Sequence, residues 1–378
     1  MLECLSTGLV YRNPRPYLRS RHAFHPSLVN LGGGELVCSF DIGEAIESLD
    51  YRTCLARSQD AGTTWELEGA LVSEQLARRT TVSVRVSRLS DGTLVGFGGR
   101  YYRDDPEEGL LNRRTLGMVP MDLILLRSSD RGRTWSAPVT VQPPLVGPAF
   151  EICHSVVELP SGRWLAPTST WRGWSGEMPS GEKAIVLVSR DRGRSWPQYG
   201  VSFDGSGSGV VYWEQSVVPL GGERLLAVAW AYDPGTGRNL PTPHTFSSDG
   251  GLTFGPARPT GLRGQTCKAL RLRDGCILCV YRRDDRPGLW ANLARLEGER
   301  WINESELPLW GQQLSSSGMT GRAGSADELG SLRFGYPSPV QLEGGDVLVA
   351  FWCLEEGTSV IRWLRLRIGS QEEAVSHG

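Results

Sequence analysis

The 378-residue sequence has no excess of either charge: 40 Lys and Arg stand against 42 Asp and Glu, a formal net charge of −2. A nucleic-acid binder would ordinarily show a basic surplus or patch, so nucleic acid is not expected as a partner. No run of about 18 apolar residues occurs, so no membrane-crossing helix is expected. The first residues, Met1-Leu-Glu-Cys-Leu-Ser-Thr-Gly8, lack the cationic start and apolar stretch of a secretory leader, and a cytoplasmic location is expected on that basis. Histidine and methionine are scarce, five of each. There is no HExxH or His-rich segment. Of the eight scattered cysteines, only Cys276-Ile-Leu-Cys279 has a metal-like spacing. Strand positions three apart point to opposite faces, so these thiols are read as buried and reduced rather than as ligands. Neither a metal nor an organic cofactor is expected.

What the chain does have is 47 Gly, 23 Pro and 13 Trp. Glycine this frequent, without a collagen period, indicates many tight turns between short strands, and an all-β fold is the expectation. An internal repeat supports it. Ser58-Gln-Asp-Ala-Gly-Thr-Thr-Trp65, Ser128-Ser-Asp-Arg-Gly-Arg-Thr-Trp135, Ser189-Arg-Asp-Arg-Gly-Arg-Ser-Trp196 and Ser247-Ser-Asp-Gly-Gly-Leu-Thr-Phe254 share the form S-x-D-x-G-x-[TS]-[WF]. The chemistry is that of a β-hairpin. Asp bonds backbone amides across the turn, Gly takes a positive φ, and the closing aromatic packs between sheets. The motif resembles the Asp-box of sialidase-like (BNR-repeat) propellers, in which it is structural and lies away from the active site.

A second repeat sets the register. His25–Leu31, Ser83–Leu89, Cys153–Leu159, Glu214–Leu220, Thr266–Leu272 and Tyr336–Leu342 align on their final Leu, and each is followed by a Gly turn and an apolar strand. Six copies imply a six-bladed β-propeller. The last blade has only three strands after Tyr336, so the N-terminal strand around Leu2–Tyr11 is expected to close the ring. Residues 1–370 are read as one domain and 371–378 as a disordered tail. The Gly/Ser-rich segment 312–327 replaces an Asp-box in the fifth blade and is read as either disordered or a lid.

First strands line a propeller's channel, so the six register positions should ring its mouth. Two residues further on come Ser27, Arg85, Ser155, Ser216, Lys268 and Ser338, expected on the same side of each strand. Loops reaching the same face carry Asp41–Asp50, Arg100–Asp105, Trp171–Trp174, Trp230–Asp233 and Arg282–Arg286. Aromatic faces beside Arg and carboxylates suit a sugar, so the expected partner is a carbohydrate.

The resemblance to sialidases covers the whole chain at the level of fold and only part of the site. It implies a Tyr nucleophile at the start of blade six and an activating Glu at the start of blade four, where Tyr336 and Glu214 fall. It also implies an acid/base Asp in the first blade's upper loop, with Asp50 the nearest match and Asp41 or Glu47 as alternatives. Arg286 or Arg283 falls near the place of one carboxylate-binding arginine. The site is otherwise atypical. Phe24 or His25 stands where the family's first-blade Arg belongs, and Trp230-Ala-Tyr232 where another is expected. Arg21, Arg85, Arg100 and Arg172 are candidate substitutes, with His25, His154 and Lys268 as further substrate-binding candidates. For a neutral sugar, Glu214 would pair instead with Asp41 or Asp50. The expected activity is that of an exo-glycosidase on a terminal sugar, sialic acid or another acidic sugar. The alternative is a non-catalytic propeller that binds carbohydrate or protein through the same mouth.

Overall fold

The computed structural model describes residues 1–72, 76–152, 154–314 and 331–369. Cys153, most of segment 312–327 and the tail 371–378 therefore lie outside the described residues. All 26 named elements, β1 to β26 in chain order, are strands.

Each repeat folds as an antiparallel meander. The first contains β2 (His22–Gly32), β3 (Glu35–Gly43), β4 (Arg52–Ser58) and β5 (Glu66–Ala70). Its second strand is the most buried, with Val37, Cys38 and Phe40 at 0 % exposure. The same holds at Phe97, Leu165, Ala227, Tyr281 and Phe351 in the second strands of the later meanders. That is why these strands read as near-continuous apolar runs rather than alternating ones. The meander starting at β6 (Thr80–Arg88) meets the first through a single parallel pair, Arg52↔Val82. The last sheet is ordered β1-β26-β25-β24, with β1 (Leu2–Tyr11), β24 (Phe334–Gln341), β25 (Val347–Glu355) and β26 (Thr358–Ile368). The N-terminal strand thus takes the outer position that the sequence left open, antiparallel to the C-terminal one from Leu2↔Ile368 to Tyr11↔Ile361.

The Asp-boxes are turns that satisfy their own backbone. In the first, the Thr64 amide and hydroxyl donate to Asp60 at 2.8 and 2.6 Å, the Gly62 amide donates to Ser58 Oγ at 2.8 Å, and Trp65 Nε1 donates to Gly62 O at 3.0 Å. Positive φ is not confined to the Gly of the motif: Ala61, Arg131 and Arg192 just before it also adopt it, at 57°, 62° and 60°. Trp196 is buried against Phe97 of the preceding meander, ring centroids 6.3 Å apart, so the closing aromatic does bridge two sheets.

The first strands are joined by the serines of the predicted second ring. Ser27 Oγ donates to Val86 O at 3.1 Å, the Leu28 amide donates to Ser338 Oγ at 2.9 Å, and the Ala269 amide donates to Ser216 Oγ at 3.0 Å. In these three cases a short hydroxyl links a neighbouring strand.

Candidate active site

The shared register has a backbone signature. His25, Glu214, Thr266 and Tyr336 all sit in the left-handed region, with φ of 52°, 49°, 51° and 53°. In each case the ladder to the next strand skips two residues. Phe24 pairs with Asp41, and the next pair is Ser27↔Ser39; the same jump occurs at Trp213/Ser216, Gln265/Lys268 and Gly335/Ser338. These are β-bulges, which re-aim a side chain at the cost of a strained residue. Ser83 lies in an unbroken ladder from Thr80 to Arg88 and has no bulge. Strict alternation of faces, on which the second ring was predicted, therefore does not run through four of the first strands. The extra residue of the bulge is the reason.

A buried network centres on Asp41, at the end of β3 and wholly inaccessible. Thr53 Oγ1 donates to its Oδ1 at 2.6 Å. Tyr51 Oη, Ser83 Oγ and an Arg85 terminal nitrogen all donate to its Oδ2, at 2.8, 2.9 and 3.1 Å. Burial opposes its charge, but the Arg85 guanidinium and the hydrogen bonds outweigh it, and the Asp41 carboxyl lies below its usual range. With both oxygens engaged, Asp41 organises the site; the free acid anticipated from sequence is not the arrangement found.

Arg85 extends the network to Tyr336. Its Nε donates to the phenol oxygen at 3.3 Å, and its guanidinium carbon lies 4.9 Å from the ring centroid. Lys268 Nζ lies 4.7 Å from the same centroid, and the His25 ring meets it edge-on at 5.0 Å. The Tyr336 hydroxyl donates to Ile152 O at 2.9 Å. Below these residues runs a cavity of about 670 Å³ lined by Arg85, Lys268, His154 and Tyr336. His154 is a neutral imidazole, its pKa pushed down to about 4 by burial and the nearby Lys268 charge, with Nδ1 2.7 Å from Ser155 O.

Glu214 is the second predicted centre. Its amide donates to Glu151 at 2.7 Å, while its Oε2 is buried and has no hydrogen-bond partner. Burial raises its pKa above the normal carboxylate range, against the opposing pull of Arg282, Lys268 and Arg85. A buried carboxyl with a raised pKa and an unpartnered oxygen is a perturbed group of the kind that marks a candidate functional site.

The remaining candidates are placed elsewhere. Asp50 is exposed and caps its own loop, accepting from the Glu44 amide at 2.9 Å and Ser48 Oγ at 2.6 Å. Arg283, itself buried, is tied to Asp285 at 2.5 Å and Glu306 at 2.7 Å, and Arg286 is exposed near Trp290. Arg100 is buried, with Asp122 at 3.6 Å. Arg172 pairs with Glu182 in a separate pocket of about 380 Å³ that also contains Trp171, Trp213 and Tyr232. There Trp171 and Tyr232 both stack on Trp213 at 5.4 Å.

Sequence reasoning missed Tyr51, and it placed Arg282 in a mouth loop while singling out only Arg283 and Arg286 from it. Tyr51 adjoins Asp50, one residue past the loop that was singled out. Arg282 adjoins Arg283 and is buried, donating from Nε to Gln265 Oε1 at 2.7 Å and from a terminal nitrogen to Phe334 O at 3.1 Å. Strand alternation separates them: Arg282 bonds Gln265 and Phe334, whereas Arg283 pairs with Asp285 and Glu306. Among the described residues, no cluster of His, Cys, Asp and Glu is arranged to hold a metal ion.

Residues 110–349 match the BNR repeat-like domain family. None of the curated proteins matches the chain. Several solved structures share its fold. A Dyadobacter fermentans protein of unknown function is 23 % identical, with a TM-score of 0.69 over 97 % of this chain and 99 % of its own. A Hadza microbial sialidase is 17 % identical, with a TM-score of 0.65 over 91 % of this chain and 65 % of its own. The intramolecular trans-sialidase of Ruminococcus gnavus, solved with oseltamivir carboxylate, is 13 % identical, with a TM-score of 0.63 over 92 % of this chain and 94 % of its own.

Proposed function

The chain belongs to the BNR repeat-like domain family, and from that premise we propose that it is a sialidase-superfamily glycoside hydrolase acting on a terminal acidic sugar. In this reading residues 1–370 form one six-bladed propeller, and the sugar sits at the mouth of its channel. Pairing of β1 with β26 supports a ring closed by the N-terminal strand.

The observation that carries the reading is the shared bulge register, which places Tyr336 and Glu214 at equivalent strained positions. Tyr336 is the nucleophile and Glu214 takes its proton. Two cations at the Tyr336 ring favour negative charge as it develops on the phenol oxygen. Lys268 and Arg282, which both bear on Glu214 electrostatically, supply the positive potential for a carboxylated sugar. A second reading, a carbohydrate-binding propeller without turnover, is favoured by the aromatic pocket around Trp213, which needs no catalysis to hold a sugar face.

A panel of 4-methylumbelliferyl glycosides that includes sialic and uronic acids separates the two. The wild-type chain is expected to hydrolyse at least one member, and Glu214→Gln to lower kcat/KM on it by about 10²–10³-fold with the fold intact. Binding without hydrolysis across the panel would establish the second reading. Undiminished turnover in Glu214→Gln would remove Glu214 from the chemistry.

A further inference from the structure

We propose that His25 is the residue that moves the proton at the glycosidic oxygen, oriented through Tyr51 by the buried Asp41. The inference rests on the glycosidase reading above and assigns the acid/base role that neither Asp50 nor Asp41 is placed to perform.

The hydrogen-bond directions follow from counting protons. Tyr51 has one hydroxyl proton and donates it to Asp41 Oδ2 at 2.8 Å, because the Asp41 carboxylate can only accept. His25 Nδ1 lies 2.6 Å from the same phenol oxygen and 3.4 Å from Asp41 Oδ2. Nδ1 must therefore carry hydrogen and donate to Tyr51, which leaves Nε2 as the working nitrogen. The arrangement is a relay, carboxylate to phenol to imidazole, of the kind that fixes tautomer and ring orientation in catalytic triads.

Location supports the role. His25 occupies a strained bulge position, φ 52°, at the register shared with Glu214 and Tyr336, and its ring stands edge-on to the Tyr336 ring at 5.0 Å. Its side chain is 24 % accessible, whereas Asp41, which it faces, is wholly buried. It is thus the titratable end of this relay that is open to solvent.

The step balances as follows. As Tyr336 Oη bonds to the anomeric carbon, the bond from that carbon to the leaving oxygen breaks. The Tyr336 proton passes to Glu214, and imidazolium His25 gives its Nε2 proton to the leaving oxygen. Water then attacks the anomeric carbon and the bond to Tyr336 breaks. The water proton returns to His25 Nε2, and Glu214 returns its proton to Tyr336. Asp41 and Tyr51 are positioning residues: Asp41 stays a carboxylate and Tyr51 keeps its proton throughout.

The groups that face His25 are Asp41, Tyr51, Arg85, Tyr336 and Lys268. Burial, together with the two cations, lowers its pKa against the pull of Asp41. The acid form is then lost below the usual histidine value, so turnover of an unactivated glycoside falls as pH rises through the depressed pKa.

The test compares leaving groups. His25→Asn keeps a residue that tolerates positive φ. On a methyl glycoside of the responsive sugar, it is expected to lose about 10²-fold or more in kcat/KM and the alkaline limb of the pH profile. On the 4-methylumbelliferyl glycoside, whose leaving group needs less protonation, the loss is expected to be at least about tenfold smaller. Tyr51→Phe is expected to move the alkaline limb, and ¹⁵N NMR of the wild-type imidazole to report Nδ1–H as the neutral tautomer. Equal losses of His25→Asn on the two substrates with an unmoved pH profile, or an Nε2–H tautomer, overturn the role and leave the glycosidase reading standing. A wild-type chain that hydrolyses no glycoside overturns that reading and this role together.

Discussion

At the residue scale, the site depends on a few side chains whose protonation burial has displaced. His154 shows the sign of such an effect most simply. Its pKa in the folded chain is about 4, below that of an exposed histidine near 6.5, so the unfolded chain binds the proton more readily. Its contribution to stability is therefore full above about pH 6.5 and is lost progressively as pH falls towards 4. The midpoint of urea unfolding should drop across that interval, and His154→Leu should flatten the drop; an unchanged slope in the variant would exclude His154 as its source. Legibility at this scale was uneven. The shared strand position of Glu214 and Tyr336 was readable from the repeat register. Asp41 was readable as a residue, but its role was not, because sequence does not show that Thr53, Tyr51, Ser83 and Arg85 consume both its oxygens. Arg282 was read only as part of its loop, since which of two adjacent strand residues faces which partners depends on the ladder.

At the element scale, the bulge is the device that turns a first strand into a site wall. It places non-glycine residues at positive φ, and a β-branched residue there is a clear outlier. Thr266 is the case in point: φ is 51°, it is 3 % exposed, and its hydroxyl has no partner. Thr266→Gly is expected to raise stability by about 1 kcal/mol, because released strain and a removed unsatisfied hydroxyl outweigh the lost methyl. Ser83→Gly, on the strand without a bulge, is expected to lower it by about the same amount, since it removes a hydrogen bond to Asp41. Denaturant unfolding of the two variants checks both signs; the same sign for both would mean the bulge stores no strain. The strands themselves were legible from the Asp-boxes and the Leu register, down to β1 at Leu2–Tyr11. The bulges were not, because nothing in His-Pro, Glu-Gln, Thr-Cys or Tyr-Pro marks an αL residue.

At the scale of the whole molecule, repetition supplies the frame and its breaks supply the chemistry. Four Asp-boxes tie down turns that do not line the cavity, while the first strands, stitched by Ser27, Ser216 and Ser338, bring Arg85, Lys268 and Tyr336 around one opening, with His25 edge-on to the Tyr336 ring. The departures from the sialidase pattern gather at that opening: Phe24 and His25 where an arginine is expected, and a buried network where a free aspartate is expected. A substituted relay on a retained nucleophile is the account these departures favour. The most direct measurement is the mass of the Tyr336-containing peptide after rapid acid quench of turnover on the responsive 4-methylumbelliferyl glycoside. The account predicts a mass increase of one glycosyl unit on Tyr336, absent in Tyr336→Phe. Sustained hydrolysis by Tyr336→Phe at the wild-type rate, with no adduct on the wild-type peptide, would contradict it.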